Sequence, residues 1–104
     1  MPKKIVISEL GGPEVLKYQN YDLPNNVKNN EVRIKHTSIG LNYIDTYHRS
    51  GIYPLPSGLP VCPGLEAAGE VIEIGDNVTN FKTGERVAYA SPPMGAYCDI
   101  RDFP

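Results

Sequence analysis

Within Gly40 to Gly51, GLNYIDTYHRSG, twelve residues carry an amide, a carboxylate, hydroxyls, an imidazole, a guanidinium and two phenols between two glycines. Such groups build metal clusters and ligand contacts. Their spacing first serves the backbone. Asn42 stands where a helix N-cap is wanted, Asp45 follows where an acid completes a capping-box-like start, and Gly51 is placed to close the helix in a left-handed turn. Ile44, Tyr47 and His48 recur at i, i+3 and i+4, so the spacing predicts one helix face packed on neighbouring strands. On this reading Asn42 and Asp45 are caps, Ile44 and Tyr47 belong to the core and Arg49 is solvated.

The remaining reactive side chains read as structural. Cys62 and Cys98 lie far apart and neither belongs to a CxxC pair, which removes the commonest redox and zinc-ribbon patterns and leaves buried or half-buried thiols. His36, in Val32-Arg33-Ile34-Lys35-His36, alternates onto the face of Val32 and Ile34, as a satisfied strand histidine does.

The elements that must position these residues are short and extended. Alternation predicts strands over 3–9, 15–18, 31–38, 67–74 and 86–90, and a last one near 96–100. Gly11-Gly12-Pro13, the Asn-rich run 25–30 and Gly75-Asp76-Asn77 punctuate them as turns. Between Ile52 and Gly64 the prolines and glycines fix the path of a loop without regular structure. Many short strands with one short helix predict a mainly β fold, a small, partly open β-barrel.

Composition narrows the function. With 104 residues, 40% of them hydrophobic, and a net charge of −2, the chain is expected to be one globular domain that folds without a disulfide or metal staple. Lys and Arg are dispersed, with no basic stripe for nucleic acid. No apolar run is long enough to span a membrane, and Glu9 interrupts the N-terminus too early for a secretory signal. A cytoplasmic domain is the expectation, with reduced thiols.

Five blocks follow one another along the chain: Gly11-Gly12-Pro13-Glu14-Val15-Leu16; Gly40 to Tyr47 with Arg49-Ser50-Gly51-Ile52-Tyr53-Pro54; Pro63 to Val71; Gly84-Glu85-Arg86-Val87-Ala88-Tyr89; and Gly95-Ala96-Tyr97. Together, over essentially the whole chain, they resemble the N-terminal GroES-like domain of the medium-chain dehydrogenase/reductase superfamily, in its zinc-free NADPH:quinone oxidoreductase branch, the zeta-crystallin type. The resemblance implies a domain over 1–104 that stops within the last part of the barrel, without the Rossmann domain whose glycine-rich turn holds the cofactor pyrophosphate. No GxGxxG occurs in the chain. Zinc-using relatives would place a Cys at position 42 and a His at position 65. Asn42 and Leu65 stand there instead, and neither Glu66 nor His48 supplies a replacement site, so no metal is expected.

The same resemblance implies hydride transfer from NADPH to a quinone or similar conjugated carbonyl. Asn42, Tyr43, Ile44, Asp45, Thr46 and Tyr47 would line the nicotinamide side of the cleft, while Tyr47 and Tyr53 would offer ring faces and phenol donors to the quinone. The chain alone is expected to be inactive, working if at all with a separately made Rossmann half. The alternative is a non-catalytic β-barrel that interacts or self-associates through its exposed cleft face. A co-chaperonin-like role lacks the long, mobile, glycine-rich loop it would need.

Overall fold

Alternating apolar residues in KKIVI and LKYQN, separated by a glycine-rich turn, make the first hairpin of the computed structural model, which describes residues 2–56 and 58–104. Strand β1 (Lys3–Ile7) pairs antiparallel with β2 (Leu16–Asn20), from Lys3 opposite Asn20 to Ile7 opposite Leu16. The second strand starts later than alternation suggests. Pro13 presets the first turn of a 3-10 helix, Pro13–Val15, whose Val15 is buried.

A second sheet holds four strands in the order β5-β4-β3-β6: β3 (Val32–Ile39), β4 (Glu66–Ile74), β5 (Arg86–Ala90) and β6 (Ile100–Phe103), all antiparallel to their neighbours. The β3–β4 register slips twice, leaving Ile72 and then Thr37 as the extra residues. Such bulges bend a sheet and reset which side chains face inward. Val32, Ile34 and Val71 form its core, with Ile74, Val78, Val87, Tyr89 and Phe103 packed around them.

Strand β1 also makes single bridges to segments outside the four-stranded sheet, Lys4 to Cys98 and Ile7 to Val61, and no closed barrel forms among the described residues. The fold is thus the partly open, mainly β arrangement expected. The last strand is displaced from its predicted place. Ala96 to Asp99 runs beside β1, with Ile5 N–H bonded to Tyr97 O at 2.9 Å and Asp99 N–H to Lys3 O at 2.9 Å. Within this segment Cys98 N–H bonds to Ala96 O at 2.8 Å in a tight turn, and regular pairing with β3 begins only at Ile100, the first residue of β6. The proline-rich loop has no helix or strand among its described residues, with Ser57 outside them.

Arg33 is the buried charge of the sheet, 8% exposed. Its Nε donates to Asp102 Oδ1 at 2.7 Å and one terminal nitrogen to Asp102 Oδ2 at 3.1 Å and to Pro24 O at 2.6 Å. Asp102 lies directly opposite it on β6, so the pair staples the edge strand with a bidentate contact. Glu73, opposite on β4, stands 3.8 Å from the other terminal nitrogen.

Candidate functional site

Helix α1 (Tyr43–Ser50) connects β3 to the proline-rich loop. Asn42 is its N-cap residue in extended conformation, and Asp45 Oδ2 accepts the Asn42 N–H at 3.0 Å. Gly51, at φ +90°, ends it with its N–H on Tyr47 O at 3.0 Å. Both ends are as the sequence predicts.

The face that the helix buries is rotated from the predicted one. Asp45 and His48 are buried, whereas Ile44 and Tyr47 are half-buried. Burying a carboxylate requires hydrogen bonds, and Asp45 Oδ2 obtains a second from the Tyr97 hydroxyl. Burial first, and the adjacent Asp45 next, push the Tyr97 phenol above its ordinary range, so it remains a proton donor. The other oxygen, Asp45 Oδ1, and the His48 Nδ1 are buried without a protein partner. Arg49 is also less solvated than expected. Its Nε donates to Gly11 O at 3.2 Å and its carbonyl accepts the Gly11 N–H at 3.0 Å, tying the glycine-rich turn to the helix.

Three aromatic rings form a row along the helix and the turn behind it. Tyr43 and Tyr47 meet edge to face at 5.3 Å, and Tyr47 and Tyr53 at 5.2 Å. Tyr43 is 76% exposed and Tyr53 46%, so ring surface is open to a ligand. Ile44 and His48 line a different recess of about 600 Å3, walled by Pro56, Leu65, Pro92 and Met94. Thr46 Oγ1 donates to Tyr43 O at 2.6 Å, which occupies its hydroxyl proton within the first turn. The structure therefore aligns Tyr43, Tyr47 and Tyr53 along the helix, from beside the Asn42 cap to the turn after Gly51, buries Asp45, and directs Ile44 elsewhere.

Glu66 begins β4 and lays its side chain across Gly40, where a Cβ would stand 2.0 Å from the carboxylate. Among the described residues no three His, Cys, Asp or Glu gather in a way that could hold a metal ion. His36 lies half-buried with its Nδ1 at 2.8 Å from Cys98 O and its Nε2 at 3.0 Å from the Tyr89 hydroxyl. A carbonyl only accepts, so Nδ1 carries the proton and Nε2 receives the phenol's. The residue that sequence reasoning missed is Tyr97. It is 52 positions from Asp45, and its one local signal is Gly64, whose φ of +104° and missing Cβ, which would lie 2.5 Å from Tyr97 Cδ1, make room for the ring.

The two-sheet, mainly β fold with one capped helix is that of a GroES-like domain. Residues 28–102 match the alcohol dehydrogenase GroES-like domain, and the chain belongs to that family. It is 53% identical over 100 residues to a quinone oxidoreductase of Pseudomonas aeruginosa, covering 96% of this chain and 30% of that protein. Its fold superposes on the crystal structures of Pseudomonas syringae quinone oxidoreductase with a TM-score of 0.92 at 48% identity, covering 100% of this chain and 31% of that one. The Escherichia coli quinone oxidoreductase complexed with NADPH gives a TM-score of 0.90 at 42% identity, over 96% and 30% of the two chains. The chain thus spans about a third of the length of the relatives it matches and is similar to the quinone oxidoreductase branch that its motifs resemble.

Proposed function

We propose that this chain is the substrate-side wall of an NADPH-dependent quinone oxidoreductase, opposite a cofactor-binding half that holds most of the dinucleotide. The row of Tyr43, Tyr47 and Tyr53 rings beside Asn42 carries this reading, in a chain similar to enzymes of that name. The residues fit one end of the cofactor. Flat ring faces and a half-buried amide suit a nicotinamide and its carboxamide, whereas the pyrophosphate asks for a GxGxxG turn, which does not occur in these 104 residues. NADPH, when bound, supplies the hydride.

The chain's own residues position and polarise. Asn42, Tyr43 and Ile44 line the nicotinamide side, with Ile44 adding apolar surface. Tyr47 and Tyr53 frame the quinone ring, and a phenol O–H stabilises the negative charge that develops on the oxygen of a hydride acceptor. Asp45 and Thr46 act one step back, because Asp45 Oδ2 and the Thr46 hydroxyl already hold the first turn that presents Asn42 and Tyr43.

The proposal is tested by NADPH titration of the chain alone and of a fusion to the cofactor-binding remainder of the Pseudomonas aeruginosa relative. No saturation of the chain alone at millimolar NADPH, with saturation of the fusion in the micromolar range, is expected. Saturation of the chain alone in that range would contradict the division of labour.

A further inference from the structure

Two thiols and an imidazole remain outside this site. Cys62 and Cys98 lie on segments that run antiparallel, with Tyr97 N–H bonded to Pro63 O at 3.0 Å and Ala96 N–H to Gly64 O at 3.2 Å. These bonds put Cys98, the residue after Tyr97, and Cys62, the residue before Pro63, at neighbouring positions on the two segments. Cys62 Sγ lies 3.4 Å from Tyr97 O, the peptide that precedes Cys98, and Cys98 Sγ lies 3.2 Å from Gly95 O. Both cysteines line one groove, whose other walls include Lys4, Tyr21 and Arg101. His36 Nδ1 stands 3.8 Å from Cys98 Sγ, and the ring is held there by the Cys98 carbonyl at Nδ1 and the Tyr89 hydroxyl at Nε2.

We propose that Cys62 and Cys98 are a peroxide-reactive thiol pair that closes to a reversible disulfide within one chain. The environment divides the roles. The neighbouring Cys62 thiol, followed by His36, holds Cys98 below the ordinary thiol range against the opposing effect of burial, while Cys62 is pushed up by Cys98 and by burial. His36 Nδ1–H stands beside Cys98 Sγ whereas Cys62 Sγ meets the carbonyl oxygens of Pro63 and Tyr97, so Cys98 is the attacking thiolate and Cys62 the resolving thiol. The Cys98 thiolate attacks one oxygen of hydrogen peroxide, the O–O bond breaks, and the departing hydroxide takes a proton to leave as water. Cys98 is then a sulfenic acid. Cys62 sulfur attacks the Cys98 sulfur, the S–O bond breaks, and the hydroxyl leaves with the Cys62 proton as a second water. Two thiols are oxidised by two electrons and one peroxide is reduced to two waters.

The test treats the native chain with hydrogen peroxide, alkylates it in denaturant and measures intact mass and linked peptides. The expected product is a monomer that has lost two hydrogens, has no thiol left to alkylate, yields a peptide joining Cys62 to Cys98, and regains both thiols with dithiothreitol. Oxygen added separately to each sulfur, disulfides between chains only, or thiols untouched at peroxide doses that oxidise free glutathione would each overturn the proposal. Cys62→Ser is expected to leave a dimedone-reactive sulfenic acid at Cys98, and Cys98→Ser to oxidise at Cys62 at least roughly tenfold more slowly. Equal rates in the two variants would overturn the assignment of Cys98 as the attacking sulfur.

Discussion

The Tyr97 hydroxyl and the Asn42 N–H share one oxygen of Asp45, so the helix that carries the aromatic row is anchored at its first turn by a side chain from the far end of the chain. Tyr97→Phe removes that donor beside a buried carboxylate and is expected to cost about 1–3 kcal/mol in urea unfolding. An unchanged midpoint would show that the contact contributes nothing. Arg33 makes a second such point. Asp102→Ala leaves a guanidinium buried without its bidentate partner, an expected loss of about 3–5 kcal/mol, and Arg33→Met combined with Asp102→Leu is expected to recover most of it. Neither contact was legible in the sequence. Strand alternation places Arg33 on the face away from Val32 and Ile34, and nothing local shows that an acid 69 positions later will cover it. The capping residues were legible because Asn42, Asp45 and Gly51 act on backbone within a few residues of themselves.

Among the elements, the same distinction between local and distant causes decides what the pattern reveals. Strand β5 occupies the span its alternation predicts, β3 is displaced by one residue at both ends and β4 starts one residue early, because one apolar face of each is fixed by the shared core. The segment 96–100 misleads, since its alternating residues serve two partners in succession, β1 and then β3. The helix face was rotated for a related reason: periodicity registers Ile44 and Tyr47 as apolar, but the hydrogen bond from Tyr97 draws Asp45 inward. Gly51 tests the helix end. At φ +90°, with Leu10 Cδ1 only 2.7 Å from where a Cβ would stand, Gly51→Ala is expected to cost about 1–2 kcal/mol, measured as a lower thermal midpoint with the strands intact. A neutral substitution would mean that the turn relaxes to another conformation.

At the scale of the whole molecule, the accessible surface of 6425 Å2 exceeds the roughly 5,800 Å2 expected for a folded monomer of this mass. Exposed Leu41, Tyr43, Ile52 and Tyr53 around α1 contribute to that surface, and on the proposed function they face cofactor, substrate and the cofactor-binding half. Global stability also has a titratable component. Burial raises the phenols of Tyr21, Tyr89 and Tyr97. The unfolded chain therefore releases these protons first, near pH 10, and stability is expected to hold below about that pH and to fall as the pH rises toward the folded values. Urea unfolding between neutral pH and the alkaline range checks this, with a shallower decline in Tyr97→Phe. The central claim concerns the aromatic wall, and turnover reads it most directly: NADPH-dependent quinone reduction by the fused protein, with and without Tyr47→Phe and Tyr53→Phe together. The account predicts turnover in the parent and a roughly hundredfold lower kcat in the double variant with NADPH binding retained. A fusion that folds and binds NADPH yet reduces no quinone, or a double variant with undiminished kcat, would contradict it.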